Sequence, residues 1–171
     1  MIKKCLMFVF IVLVLLFIGC GGGSQERAAE KAAEKAIAKE TGEKADVDIS
    51  KDKVMIKSEG KEITIAGEGT ASLPEDFPKD IYVYPGAGIK MSGKQENSFM
   101  LTLESKDDLK KVVSEYKDKM KAQEWKEKTT LDMGEQTMIE FEKENRSTII
   151  NITKADDKTQ IHIMINTEEK K

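Results

Sequence analysis

Four short runs late in the chain place apolar residues at every second position: Leu131 and Met133, Ile139 and Phe141, Ile150 and Ile152, then Ile161, Ile163 and Ile165. Alternation of this kind is the pattern of a strand with one buried face. Gly134-Glu135, Glu144-Asn145 and Asp156-Asp157 stand between the runs, each short enough to turn the chain straight back. Short turns restrict the strands to an antiparallel meander, because a parallel pair needs a crossover of a dozen or more residues. A chain built this way must also supply a layer to cover the apolar face of the sheet.

That layer is predicted just upstream. Ser105-Lys106-Asp107-Asp108 reads as a capping box with Asp in place of Glu. Leu109, Val112, Val113, Tyr116 and Met120 then recur at helical spacing, and Trp125 closes the helix. Before it, Phe99, Leu101 and Leu103 alternate with Ser98, Met100 and Thr102, while Ile81 to Tyr84 reads as a short strand stopped by Pro85-Gly86. The order is β-β-α-β-β-β-β. The expected fold class is α+β, a two-layer antiparallel sheet with one packed helix over residues 73–168.

An N-terminal helix and a small β-meander precede this unit. Val47 and Ile49, Val54 and Ile56, and Ile63 and Ile65 mark three strands over 45–67, turned at Lys51-Asp52 and at Ser58-Glu59-Gly60-Lys61. Three strands alone are marginal, so this meander is expected to pack on the domain that follows, across a linker at Gly67 to Ser72. Over 25–42, Ala28, Ala29, Ala32, Ala33, Ala36 and Ile37 recur at helical spacing until Gly42. An almost all-alanine stripe buries little area, so the helix reads as a semi-rigid stalk, the alternative being a close-packing partner helix.

Ahead of the stalk, Lys3 and Lys4 precede an apolar run from Leu6 to Ile18. A comfortable membrane span needs about 20 apolar residues, and the shorter run fits a secretory signal. Phe17-Ile18-Gly19-Cys20 resembles the lipobox of bacterial lipoproteins. The resemblance implies removal of residues 1–19 as a signal peptide and a diacylglycerol on the Cys20 sulfur. Residues 20–24 would then be the lipid anchor and tether. Two or three acyl chains, at ~0.8 kcal/mol per buried methylene, hold a protein stably at a membrane. The expected location is the bacterial cell envelope, with the domain outside the cytoplasm. Cys5 would leave with the signal and Cys20 would carry lipid, leaving no thiol for catalysis.

Pro74 to Trp125 carries a second likeness. A strand ending "P-x-Y-P-G-A" followed by a helix "V-x-x-F-Y-x-x-x-L-x-x-x-G-W" resembles a class of uncharacterised bacterial envelope lipoproteins. Tyr84-Pro85-Gly86-Ala87, Val112, Tyr116, Met120 and Trp125 occupy matching places. Tyr82 stands where the first proline is usual, Glu115 replaces the aromatic, and Glu124 replaces the glycine before Trp125. The resemblance implies the same α+β layout and brings no catalytic residues with it.

The composition narrows function further. Lys+Arg number 28 against 31 Asp+Glu, with no basic block, which argues against nucleic acid as a partner. His162 is the only histidine, and no Gly-x-Ser-x-Gly elbow occurs. Asp46, Asp48 and Asp52 lack the glycine and glutamate of a calcium loop, since Lys51 and Lys57 hold those places. Gly86-Ala87-Gly88 lacks the lysine of a phosphate loop. The expectation is therefore a non-enzyme without a cofactor: a lipid-anchored envelope protein in a binding or structural role, touching the membrane through Cys20 and an envelope protein as partner. The alternative is a cell-wall hydrolase working with carboxylates alone. The candidate binding face is Met100, Met138, His162 and Met164, on the side of the strands away from the helix. Soft, adaptable side chains there suit a promiscuous apolar surface, or with His162 a weak copper site. The simpler expectation is that the meander covers them as a second minor core.

Overall fold

The computed structural model describes residues 23–50, 52–67 and 71–167. Helix α1 (Gly23–Thr41) leads into three strands, β1 (Ala45–Ser50), β2 (Lys53–Ser58) and β3 (Lys61–Ala66). After a loop come β4 (Ala87–Gln95), β5 (Ser98–Ser105) and helix α2 (Leu109–Ala122). The chain ends with β6 (Lys126–Asp132), β7 (Gln136–Lys143), β8 (Arg146–Ala155) and β9 (Lys158–Thr167). All nine strands belong to one antiparallel sheet in the order β1-β2-β3-β4-β5-β9-β8-β7-β6.

Two-residue turns set the register of most neighbours. Ser58 pairs with Lys61, Gln95 with Ser98, Lys143 with Arg146 and Ala155 with Lys158. Such turns need positive φ, and here Glu96, Glu144 and Asp156 take it at 52°, 55° and 54°. The register then sorts the side chains. Leu101, Ile163, Ile150 and Ile139 are cross-strand partners on one face, and all are buried. Val112, Tyr116 and Met120 of α2 are buried with them, as are Phe77, Ile81 and Tyr84 from the loop 71–86 and Trp125 from the helix exit. This is the main core.

α1 lies on the other face. Val47, Ile56, Ile63, Gly93, Met100, Met164 and Ile149 form one continuous cross-strand row. Ala33 and Ile37 of α1 bury themselves against its first two members, Val47 and Ile56. The helix also guards the edge of the sheet, because Glu34 and Glu30 accept the β1 amides of Val47 and Ile49 at 3.4 and 3.0 Å. An edge strand with bare amides invites pairing with other chains. The opposite edge, β6, carries Lys126, Glu127 and Lys128 and a bulge between Glu127 and Thr129.

Several expectations are corrected here. The fold class expected, a two-layer α+β unit preceded by a separate meander, gives way to a single large sheet with a helix on each face. The strand that joins the parts is β4, whose Gln95 to Met91 pairs with Lys61 to Ile65 of β3. Ile81 to Tyr84 is not a strand. It is loop between Pro78 and Pro85 whose Ile81 and Tyr84, three apart, both enter the core. The meander extends the sheet sideways and leaves the methionine face uncovered. α1 packs on β1 and β2 and does not project as a stalk. The helix cap is Asp108, whose side chain accepts the Lys111 amide at 3.0 Å, while Ser105 serves the turn before it, accepting the Asp107 amide at 3.1 Å.

Candidate functional site

The sheet face away from α2 is the least covered apolar surface among the described residues. Met100 is 42% exposed, Met164 46% and Leu131 49%, all on this side. Met100 and Met164 are direct cross-strand partners. In the next row Met91, Thr102, His162, Asn151, Met138 and Leu131 follow one another across β4, β5, β9, β8, β7 and β6. Ile63 and Ile65 continue the surface towards α1.

The local sequence explains why this region stays open. Gly93 takes a place in the row where an apolar side chain would continue it, and Met100 fills the gap. A Cβ on Gly93 would lie 3.0 Å from the Met100 Cγ and 3.4 Å from its Sδ. His162 Nδ1 and Thr102 Oγ1 are 3.2 Å apart, a hydrogen bond that orients the imidazole. No charged residue stands in these two rows between Ile63 and Ile149. At the rim, Glu104 is paired with Lys158 at 2.9 Å and Glu142 with Lys128 at 2.8 Å.

The structure brings together Met100, His162 and Met164 of the candidate residues. Met138 shares the row of His162 but stands two strands away, beyond Asn151. Cys20 lies outside the described residues. Met91 belongs to the cluster and is missing from the sequence expectation, because β4 is. Its signal was the spacing Ile89, Met91, Gly93, obscured by a bulge between Ile89 and Met91.

The other polar clusters hold the fold. Asp80 accepts Arg146 through Nη1 and Nη2 at 2.8 and 2.6 Å and Lys143 Nζ at 3.0 Å. Its backbone carbonyl takes the Trp125 indole N–H at 2.8 Å, and the Arg146 guanidinium lies 5.0 Å from the Trp125 ring centroid. Hydrogen bonding to Arg146 holds the Asp80 carboxyl down at about 2 against the opposing effect of burial, with Lys143 adding to it. Tyr82, Tyr84 and Tyr116 pack edge-on or stacked at 5.3–6.3 Å. Burial raises all three phenols, and hydrogen bonds to Glu115 and Asp107 raise Tyr82 and Tyr84 further.

A carboxylate-rich cleft of about 260 Å³ is lined by Glu140, Glu142, Glu144, Asn145, Arg146 and Ser147. A glycosidase acid there would need a raised pKa. Glu142 goes the other way, lowered by its hydrogen bond to Lys128.

Residues 87–167, just under half of the chain, match a family model described as START domain-like. The matched stretch is β4 to β9 with α2, and a sheet holding one helix fits the helix-grip type of such a domain. A START-like domain is typically a ligand-binding one and not a catalytic one. No curated protein and no solved structure matches the chain.

Proposed function

We propose that this chain is a lipid-anchored cell-envelope protein whose uncovered sheet face binds another envelope protein without catalysis. The observation that carries the reading is the face itself, a row free of charge from Ile63 to Ile149, bounded by Glu140, on which Met100 and Met164 are nearly half exposed. Protein interfaces deplete charge at their centre, favour methionine there and place polar groups at the rim. Ser98, Asn166 and Ser147 border the row here. The START-like match supports a ligand-binding role.

The anchor fits the same geometry. α1 begins at Gly23, three residues after Cys20, and shares the face with the methionines. Lipid on Cys20 would therefore tether the domain through the helix beside its binding surface. A photoreactive residue placed at Met164 in growing cells tests the reading, with Lys119 on the exposed side of α2 as control. A discrete adduct from Met164 and none from Lys119 supports it. Equal capture from both positions, or capture from Lys119 alone, contradicts it.

A further inference from the structure

We propose that Met91, Met100, Met164 and His162 form a site for one soft monovalent metal ion, Cu(I) or its redox-inert analogue Ag(I). The four residues occupy a patch two rows deep on three adjacent strands. Thr102 is flanked by Met91 on β4 and His162 on β9. One row along, Met100 is flanked by Gly93 and Met164. Met100 and Met164 are direct neighbours, about 4.5–5.5 Å apart at Cβ, and Met100 is diagonal to Met91 and to His162, at about 7–8 Å. Met91 stands two strands, about 10 Å, from His162, so its long side chain must reach across Thr102. Three flexible thioethers and an imidazole can converge over such a patch.

The small residues fit this purpose. Gly93 gives the Met100 side chain room to lie across β4, the strand that carries Met91. Thr102 Oγ1, 3.2 Å from His162 Nδ1, can accept the proton there. With the Nδ1 proton donated to Thr102, Nε2 keeps its lone pair for a metal; a hydroxyl can serve either tautomer, so the contact is compatible with that arrangement and holds the ring in place. The donor set is soft and uncharged. The acid on this face at β5, Glu104, is held by Lys158. Thioether and imidazole donors without carboxylate suit Cu(I) and offer little to Ca²⁺ or Mg²⁺.

This site lies within the face assigned to protein binding and shares Met100 and Met164 with it, but a titration of the isolated protein reads metal binding alone, so its failure and the failure of the docking reading are told apart. The test uses the full chain in detergent, with Cys5→Ser and Cys20→Ser so that no thiol competes. Cu(I) is titrated anaerobically against a chromophoric chelator. We expect one equivalent to bind, about 100-fold weakening in the Met91→Leu/Met100→Leu/Met164→Leu chain, and about 10-fold weakening in His162→Gln. Leucine conserves the volume of methionine, and circular dichroism verifies the fold of each variant. A second readout needs no substitution at the site: with methyl-labelled methionine, Ag(I) should shift the Met91, Met100 and Met164 methyl resonances and leave Met138 in place. The proposal is overturned if the chelator keeps all the Cu(I), if the triple leucine chain binds as tightly, or if Ag(I) leaves those three methyl resonances unmoved.

Discussion

Replacing Asp80 with Asn probes the clasp that closes the loop 71–86 over the main core. The substitution keeps the shape of the side chain and the backbone carbonyl that receives Trp125, and removes the charge held by Arg146 and Lys143 together with one of the two oxygens that accept from them. The carboxyl sits at about 2 in the fold against an ordinary 3.8. At 1.36 kcal/mol per unit, that difference corresponds to about 2 kcal/mol of stability. The Asp80, Arg146 and Lys143 side chains are only 24%, 20% and 19% exposed, so solvent screening removes little of it. The sign follows from the depression. A carboxyl lowered by folding stabilises in full above its unfolded pKa, and the contribution disappears as pH falls through about 2. Urea unfolding followed by Trp125, the single tryptophan, should therefore show Asp80→Asn weaker by about 2 kcal/mol at pH 7 with an unchanged m-value. The matching loss in Tm is about 4–8 °C. Below pH 2 the two proteins should unfold together. A gap under about 0.5 kcal/mol at pH 7, or one equally large in acid, would refute the assignment.

Three further outcomes follow from the same structure. Glu124 is an exposed residue at φ 65°, and the Trp125 amide donates back to the Met120 carbonyl at 3.0 Å, as in a Schellman cap. Glu124→Gly should therefore raise stability by about 0.5–1 kcal/mol in thermal melts, and an unchanged or lower Tm would tell against the cap. Thr148 is fully buried with a hydroxyl that makes no hydrogen bond. Thr148→Val should stabilise by about 1 kcal/mol in urea titration, and a loss would reveal a hidden partner. For the anchor, Cys20→Ser should abolish metabolic labelling with palmitate and leave an unprocessed precursor; an unlabelled wild-type protein with its original N-terminus would dismiss lipidation.

β5, α2, β7, β8 and β9 were legible because each has a clean period, whereas β6 was expected from Leu131 and Met133 as a strand with a buried face and is instead Lys126–Asp132, with Leu131 exposed and Met133 past its end. Leu101/Leu103, Ile150/Ile152 and Ile161/Ile163/Ile165 alternate, and Val112, Tyr116 and Met120 share one helix stripe. β4 was not, since a bulge after Ile89 shifts its phase and Gly93 stands where an apolar residue would reveal it. Without β4 the meander had no partner in the plane of the sheet, so a second layer was the natural expectation. Ile81-Tyr82-Val83-Tyr84 misleads in the opposite direction. Its residues have the composition of a strand, but prolines on both sides and burial at Ile81 and Tyr84 belong to a loop folded onto the core. The stalk expectation failed on a contact that alanine content hides, two side chains, Ala33 and Ile37, reaching Val47 and Ile56. The departure at Glu124 is legible in retrospect as well: glycine is usual before that tryptophan because the position is left-handed.

If the methionine face is a docking surface, it is occupied where the protein works. Single cysteines at Met100 and at Met164, with Lys119→Cys as a control on α2, would be reacted with a polar maleimide in native membranes and again after purification. Occupancy requires slow labelling of both face positions in membranes, fast labelling once purified, and equal rates for Lys119→Cys in the two states. Face cysteines that react as fast in membranes as in purified protein would mean that nothing binds there.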